Sequence, residues 1–339
     1  MSGRGRKLVA STATTMSPGR KARPAQPKRQ ASKNGATLRI GNQQVPVSHL
    51  DKIFYPEAGF TKGQVIDYYI RVSPVLLPHL ADRPLTLKRY PDGVAGGFFY
   101  EKRCPAYRPE WVQTVPVWTE RYNEHINYCV ANDLPTIVWA ANLGDLELHT
   151  LLAKGSDIDR PTMMVFDLDP GAPANILDCA QVGLWLKEQL DEMKLNSFVK
   201  TSGSKGLQLY VPLNTPVTYD VTKPFARALA ERLERLHPDR VVSRMEKRLR
   251  TGKVLVDWSQ NDRHKTTVCV YSLRAKEQPT VSTPVCWDEV QDAQKRKASD
   301  RLTFLWDAVL KRVEKLGDLF APVLKLKQKL PKLSDLADR

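Results

Sequence analysis

From about Thr37 onward, apolar strands and amphipathic helices alternate along the chain, and this order constrains the fold more than any single motif. The segment LRIGNQQVPVS reads as a strand and turn. A helix opens at Thr61, where Thr61 and Gln64 have capping-box spacing and Val65, Tyr69, Val72 and Leu76 recur at the helical period. The pattern predicts strands over 85–89, 112–117, 162–168, 207–211, 254–258 and 268–272. It predicts helices over 176–193, from near Pro224 with Phe225, Leu229, Leu233 and Leu236 on one face, and over 300–316. Such an order fits α/β layers rather than a sandwich or a helical bundle. There is no internal repeat and no apolar run long enough to span a membrane.

The 339 residues allow one large domain or two modest ones. Net charge is +15, and residues 1–36 hold nine Lys/Arg with no acid and no aromatic residue. That stretch cannot bury enough apolar surface to order itself, so it reads as a flexible basic arm. A nucleic-acid tether and a solubilising tail both fit its composition. It lacks the amphipathic stripe of a transit peptide and the apolar core of a secretory signal, so cytoplasm is expected. The five cysteines, Cys104, Cys129, Cys179, Cys269 and Cys286, are odd in number and form no CxxC pair. The expectation is a reduced, intracellular chain with neither zinc ribbon nor disulfide framework.

The most chemical segment is MMVFDLDPG. Side chains alternate along a strand, so Asp167 and Asp169 point the same way and repel unless a cation lies between them or one is protonated. Asp257 follows the apolar strand of KVLVDW. Three carboxylates converging at strand ends would suit two divalent metals, Mg²⁺ or Mn²⁺, of the kind that activate a 3′-hydroxyl. A DxD before Pro-Gly is also the pattern of an exposed strand-end turn. A calcium loop fails, because the glycine is at position five, prolines intrude and a strand precedes it.

Ser202-Gly203-Ser204-Lys205-Gly206 offers small residues, backbone N–H groups and one ammonium, entering a strand with Leu207, Leu209 and Val211. Such a turn can cradle phosphate, although it is not a P-loop and Ser/Gly/Lys turns also occur in surface hairpins.

The order DLDPG, SGSKG, VLVDWSQN and YSLRAK resembles the archaeo-eukaryotic primase-polymerase superfamily. More narrowly, it resembles the polymerase domain attached to bacterial ligase D and its free-standing actinobacterial relatives, over about residues 39–288. The resemblance implies that Asp167, Asp169 and Asp257 are the metal-binding, catalytic triad. Ser202, Lys205 and Gly206 would hold the incoming nucleoside triphosphate with Gln260 and Arg274, and His149 in LELH would approach its sugar. Lys52 in LDKIFYP, Lys62 in TKGQV and Lys88 in LKRYPDG resemble lysines that grip a 5′-phosphate on DNA. Phe98 and Phe99 look like the base-stacking aromatics, and Arg250 like a template contact. Gln208 departs from the pattern, since many members carry histidine there; glutamine can donate to phosphate but carries no charge.

These features together predict a primase-polymerase catalytic core with an RRM-like mixed sheet plus an N-terminal α/β module. The expected division is an arm over 1–36, an N-terminal module over 37–155, a catalytic module over 156–320 and a C-terminal tail over 321–339. The active site would lie in the crevice between the modules. The resemblance implies template-directed nucleotidyl transfer preferring ribonucleotides, on short gaps or breaks bearing a 5′-phosphate. No KxDG motif occurs, so a separate ATP-dependent ligase is the expected sealing partner, which inclines the function to gap filling in excision repair. End joining with Ku is the second enzyme role. A non-catalytic DNA-end binding module would need no carboxylate triad, and in a β-type nucleotidyltransferase the Gly-Ser motif precedes the DxD. The protein would act at the bacterial nucleoid, without a membrane.

Overall fold

The structure, a computed structural model, describes residues 29–32, 35–120 and 123–336; the arm's residues 1–28 lie outside the described residues. Residues 29–32 of that stretch are not free: β1 (Arg29–Ser32) pairs antiparallel with β2 (Gly35–Ile40), which pairs with β3 (Gln43–Ser48). A short ribbon, β4 (Ile53–Tyr55) and β5 (Phe60–Thr61), leads into α1 (Lys62–Leu80). The Thr61–Gln64 capping box is formed, and Val65, Tyr69, Val72 and Leu76 are buried as their spacing requires.

A first large sheet follows from β6 (Pro84–Arg89), β7 (Phe99–Glu101), β8 (Thr114–Thr119), β9 (Glu124–Val130), then α2 (Leu134–Asn142) and β10 (Asp145–Thr150). Beyond a ribbon of β11 (Ala153–Lys154) and β12 (Asp157–Pro161), the chain enters a second sheet at β13 (Met163–Pro170). It continues through α3 (Ile176–Glu192), β14 (Phe198–Thr201), β15 (Leu207–Pro212), α4 (Tyr219–Leu236), β16 (Val241–Val242) and β17 (Val254–Asp257). The remaining elements are β18 (Thr267–Val268), β19 (Pro284–Val285), α5 (Trp287–Arg296) and α6 (Trp306–Leu316). The first sheet has the order β18-β10-β6-β9-β8 with β7 on β6, and the second β16-β17-β13-β15-β14-β19. The second is mixed, since β16 and β17 are parallel and its other pairs antiparallel. Thr267–Val268 follows β13–β17 of the second sheet in the chain yet pairs with β10 of the first, so the chain returns from the second sheet to the first.

The two-residue period of β13 divides the molecule. Met164, Phe166 and Leu168 are buried with Val182 and Leu186 of α3 and Phe225 and Leu229 of α4. Each such side chain contributes roughly 1.5–3 kcal/mol of burial. Met163 and Val165, on the opposite face, join the core that α1 shares with Leu85 and Leu87 of β6 and Leu146 and Leu148 of β10. Two residues further along that same face the side chains are Asp167 and Asp169.

Several expectations change. The strand expected over 268–272 stops at Val268, because Tyr271 takes a left-handed backbone (φ 64°) and turns the chain. The last helix starts at Trp306, after a separate 3₁₀ turn at Ser299–Leu302. The segment read as a C-terminal tail is packed as far as Gln328: Val323 is buried, and Gln328 Nε2 donates to Pro212 O (2.8 Å) and Asn196 O (3.0 Å). Cys104 and Cys129 are joined by a disulfide, correcting the expectation of none. The Cys104 amide donates to Asn127 O (2.7 Å), laying the loop after β7 against β9 and bringing these distant cysteines together. No helix among the described residues is long and apolar enough to cross a membrane.

Candidate active site

Strand register lines up four polar side chains across the second sheet. Asp257 on β17 pairs with Asp167 on β13, Asp167 with Gln208 on β15, and Gln208 with Lys200 on β14. Each of these strands buries apolar neighbours on its other face, Val256, Phe166, Leu209 and Val199, so alternation presents the polar row to the crevice. Asp169 lies on that face, two residues after Asp167. Asp167, Asp169 and Gln208 line a cavity of about 650 Å³, together with Ser202 and Lys205 and with Thr86 and His149 from the first sheet.

The carboxylates repel. Burial, followed by the charge of Asp169, raises the Asp167 pKa, and the Gln208 amide hydrogen-bonded to it pulls the other way. Burial and the charge of Asp257 raise Asp169, against Arg250 and Arg274. No group of three or more His, Cys, Asp or Glu among the described residues stands in ligating arrangement. Both oxygens of Asp257 are engaged: Oδ1 accepts from Ser259 N (2.8 Å) and Oγ (2.5 Å), and Oδ2 accepts from Gln260 Nε2 (2.9 Å). A hard divalent cation fits the cavity-facing, mutually repelling pair Asp167 and Asp169, while Asp257 pairs with Asp167 across the strands without lining that cavity.

The 202–206 turn packs against the end of this row. Ser202 N donates to Gly206 O (2.9 Å), and Ser202 Oγ accepts from Ser204 N and Gly206 N (each 3.2 Å). Three of the turn's N–H groups are therefore spent internally, while the Ser202 hydroxyl hydrogen is left for a ligand. Gly203 sits at φ +66°, and a Cβ there would meet Val281 C at 2.6 Å and Arg274 Cγ at 2.7 Å. The Arg274 guanidinium donates to Ser202 O, and Tyr55 OH donates to Arg274 O (3.0 Å), so this arginine is fixed at both ends. Lys205, which is exposed, and Arg274 both line the cavity, and burial, followed by the Arg274 charge, lowers the pKa of Lys276 nearby. Arg250 and Gln260 line the same cavity, and Arg250 Nη2 donates to Met245 O (2.6 Å).

The first sheet supplies the opposite wall. Leu85, Leu87, Leu146 and Leu148 are buried away from the crevice, so Thr86, Lys88, Glu147 and His149 face it. Lys88 Nζ lies 3.2 Å from Glu147 Oε2 and 4.7 Å from the Phe98 ring centroid. Phe98 stacks on Tyr90 (5.2 Å), while Phe99 lies over the Arg89 guanidinium (5.1 Å), so consecutive phenylalanines take opposite faces. Both are exposed, Phe98 by 53% and Phe99 by 44%, and can stack on a planar ligand.

Lys52 and Lys62 come together at the start of α1: Lys62 N donates to Lys52 O (2.8 Å), and Lys52 Nζ contacts Asp92 Oδ1 (2.6 Å). Burial, aided by the Lys52 charge, lowers Lys62 to about 8. Lys88, expected as a third 5′-phosphate lysine, is placed on β6 beside other groups. Alternation along β6 turns its ammonium to Glu147 and the aromatic rings instead.

A family model described as the LigD primase-polymerase domain matches residues 61–320. The chain belongs to this family. The multifunctional non-homologous end joining protein LigD of Mycolicibacterium smegmatis is 38% identical over 83% of the chain and 36% of its own length. The bifunctional LigD of Bacillus subtilis is 35% identical over 79% of the chain and 42% of its own length. The chain thus spans well under half the length of these curated relatives. The polymerase domain of Mycobacterium tuberculosis ligase D, solved in complex with DNA, superposes with a TM-score of 0.78 at 37% identity, covering 85% of the chain and all of that domain. The LigD primase-polymerase domain is a nucleotidyltransferase of the polymerase type that uses divalent metal ions.

Two residues of this LigD-type site went unnoticed in the sequence. Lys200 is fully buried, its ammonium donating to Gln208 Oε1 (2.5 Å) and Ser282 Oγ (2.6 Å), and burial lowers its pKa. With that oxygen engaged, the Gln208 amide donates one hydrogen to Asp167 and keeps the other. Glu147 lies beside His149 in the quoted LELH, and a charge within an apolar strand is the one signal that marks it.

Proposed function

We propose that this chain carries out template-directed nucleotidyl transfer on DNA, filling short gaps that bear a 5′-phosphate. The observation that carries the proposal is the crevice itself, where Asp167 and Asp169 share one cavity with the cations Lys205, Arg250 and Arg274. A primer 3′-hydroxyl attacks the α-phosphate of the incoming nucleotide and pyrophosphate leaves. Two divalent ions, Mg²⁺ or Mn²⁺, held by Asp167, Asp169 and Asp257, would supply neutralisation of the developing phosphoryl charge. Ser202 and Gln208 donate to the triphosphate, Lys205, Arg274 and the Gly206 turn hold it, and Gln260 steadies Asp257. His149 faces the sugar, where a ribonucleotide is preferred. Phe98 and Phe99 stack on template bases and Arg250 contacts the template strand, while Lys52 and Lys62 anchor the 5′-phosphate.

The relatives' names, all for end joining, favour a broken end with Ku as a second setting beside the excision-repair gap. The filled product in either setting is a nick, which calls for an ATP-dependent ligase as a partner. We place this activity in the cytoplasm, at the nucleoid. Single-nucleotide extension on gapped DNA with and without a 5′-phosphate, comparing NTPs with dNTPs, tests it. Extension that is faster with phosphate and with NTPs is expected; no extension on any gap overturns the proposal.

A further inference from the structure

We propose that Glu147 is a positioning residue that sets which ring nitrogen of His149 is left as the acceptor for the nucleotide sugar, and through it the choice of ribonucleotide over deoxyribonucleotide. The proposal rests on the polymerase reaction assigned to the crevice. Its origin is a register shift in β10 between Asp145 and Glu147, after which Glu147 and His149 face the crevice while Leu148 between them is buried in the core.

The Glu147 side chain is 1% exposed and has a neighbour on every side. Oε1 accepts from Ala275 N (3.0 Å) and lies 3.4 Å from Arg274 Nε. Oε2 lies 3.2 Å from Lys88 Nζ and 2.9 Å from His149 Nε2. Burial alone would raise its pKa, but His149, Arg274 and Lys88 outweigh that and hold the carboxyl well below the usual range.

An ionised carboxylate only accepts hydrogen bonds, so the hydrogen shared with His149 belongs to Nε2. Burial of the ring opposes a second proton most strongly; Glu147 favours one, and the weaker Arg274 and Lys88 charges side with burial, so the pKa is lowered. The neutral ring then carries no hydrogen on Nδ1, and that nitrogen is an acceptor. His149 lines the cavity, so an acceptor is what it offers a sugar hydroxyl. A ribose 2′-hydroxyl can donate to it, whereas a deoxyribose leaves a desolvated acceptor unpaired. Lys88 and Arg274 share the same carboxylate, so one residue couples the sugar contact to the cations beside the triphosphate.

Glu147→Gln keeps the size but can donate through its amide, which releases His149 to the other tautomer. Single-turnover kcat/KM for an NTP and its dNTP should show the wild-type ratio falling about tenfold or more, the equivalent of one lost hydrogen bond. Both nucleotides also weaken as Arg274 and Lys88 lose their counter-charge, but only the sugar contact moves the ratio. In a His149→Ala background the same substitution should leave the ratio unchanged. Long-range ¹H–¹⁵N spectra of the full chain, with His149 assigned by its loss in His149→Ala, should show Nδ1 bare and Nε2 protonated. A Glu147→Gln ratio within about twofold of wild type, or a protonated Nδ1 in the wild type, overturns the proposal. Extension with no preference for NTPs overturns it too and leaves the polymerase activity standing. Absence of extension with either nucleotide overturns the polymerase reaction instead, while the ring spectra still decide the tautomer.

Discussion

Replacing Gly206 with alanine should disable the enzyme by geometry alone. A Cβ built on Gly206 lies 1.9 Å from the Leu168 carbonyl oxygen, a backbone atom of the central strand that carries Asp167 and Asp169. Ordinary contact begins near 3.4 Å, so the turn must retreat by about 1.5 Å. It has little room to do so. Ser202 N is bonded to Gly206 O at 2.9 Å, and Leu207 is held in register with both Leu168 and Thr201. The displacement therefore reaches Ser202 and Lys205 and moves them from the carboxylates. Misplacing reacting groups by ~1 Å can cost ~10²-fold in rate, or about 2.7 kcal/mol of transition-state stabilisation. Single-nucleotide extension under single-turnover conditions measures this directly, with a thermal melt to confirm folding. Gly97→Ala is the control, because a Cβ there meets nothing within 4 Å and activity should match wild type. A folded Gly206→Ala enzyme within about threefold of wild type would show that turn and carboxylates are not held at a fixed separation, refuting the reasoning.

Asp257→Ala should reduce extension by at least ~10²-fold, as chelation of divalent ions should, with gapped-DNA affinity by fluorescence anisotropy unchanged, since phosphate contacts dominate binding. Equal losses of binding and extension would count against a metal role for Asp257. Lys52→Ala with Lys62→Ala should erase the preference for 5′-phosphorylated gaps in competition binding, whereas Lys88→Ala should keep that preference and weaken nucleotide KM. Because Lys62 is lowered to about 8, its ammonium is charged below that pH and lost as pH rises through it. The 5′-phosphate preference should therefore shrink between about pH 7 and about pH 9, and a flat profile would remove Lys62 from phosphate binding. Deleting residues 1–28 should flatten the dependence of log affinity on log salt, each phosphate neutralised contributing about −0.9 on duplex DNA; coincident slopes would make that segment only a solubilising one.

Local pattern carried much of the fold. The capping box of α1, the apolar stripes of α3 and α4 and the alternation along Met163–Pro170 each follow from neighbours in the chain. That alternation alone places Asp167 and Asp169 on one face, and the family motifs point to the same cleft. Helix α2 escaped notice because seven of its nine residues are buried, which leaves no amphipathic stripe. What tertiary structure alone decided are the partners of charge. Whether Lys88 meets a phosphate or Glu147, whether Lys200 props Gln208, and whether Cys104 finds Cys129 depend on register between strands far apart in the chain. A sequence written in one dimension specifies which face a side chain takes, because that is set by backbone period. It does not specify which side chain stands opposite, because that is set by how separate strands pair and pack, and a buried charge takes its chemistry from that neighbour.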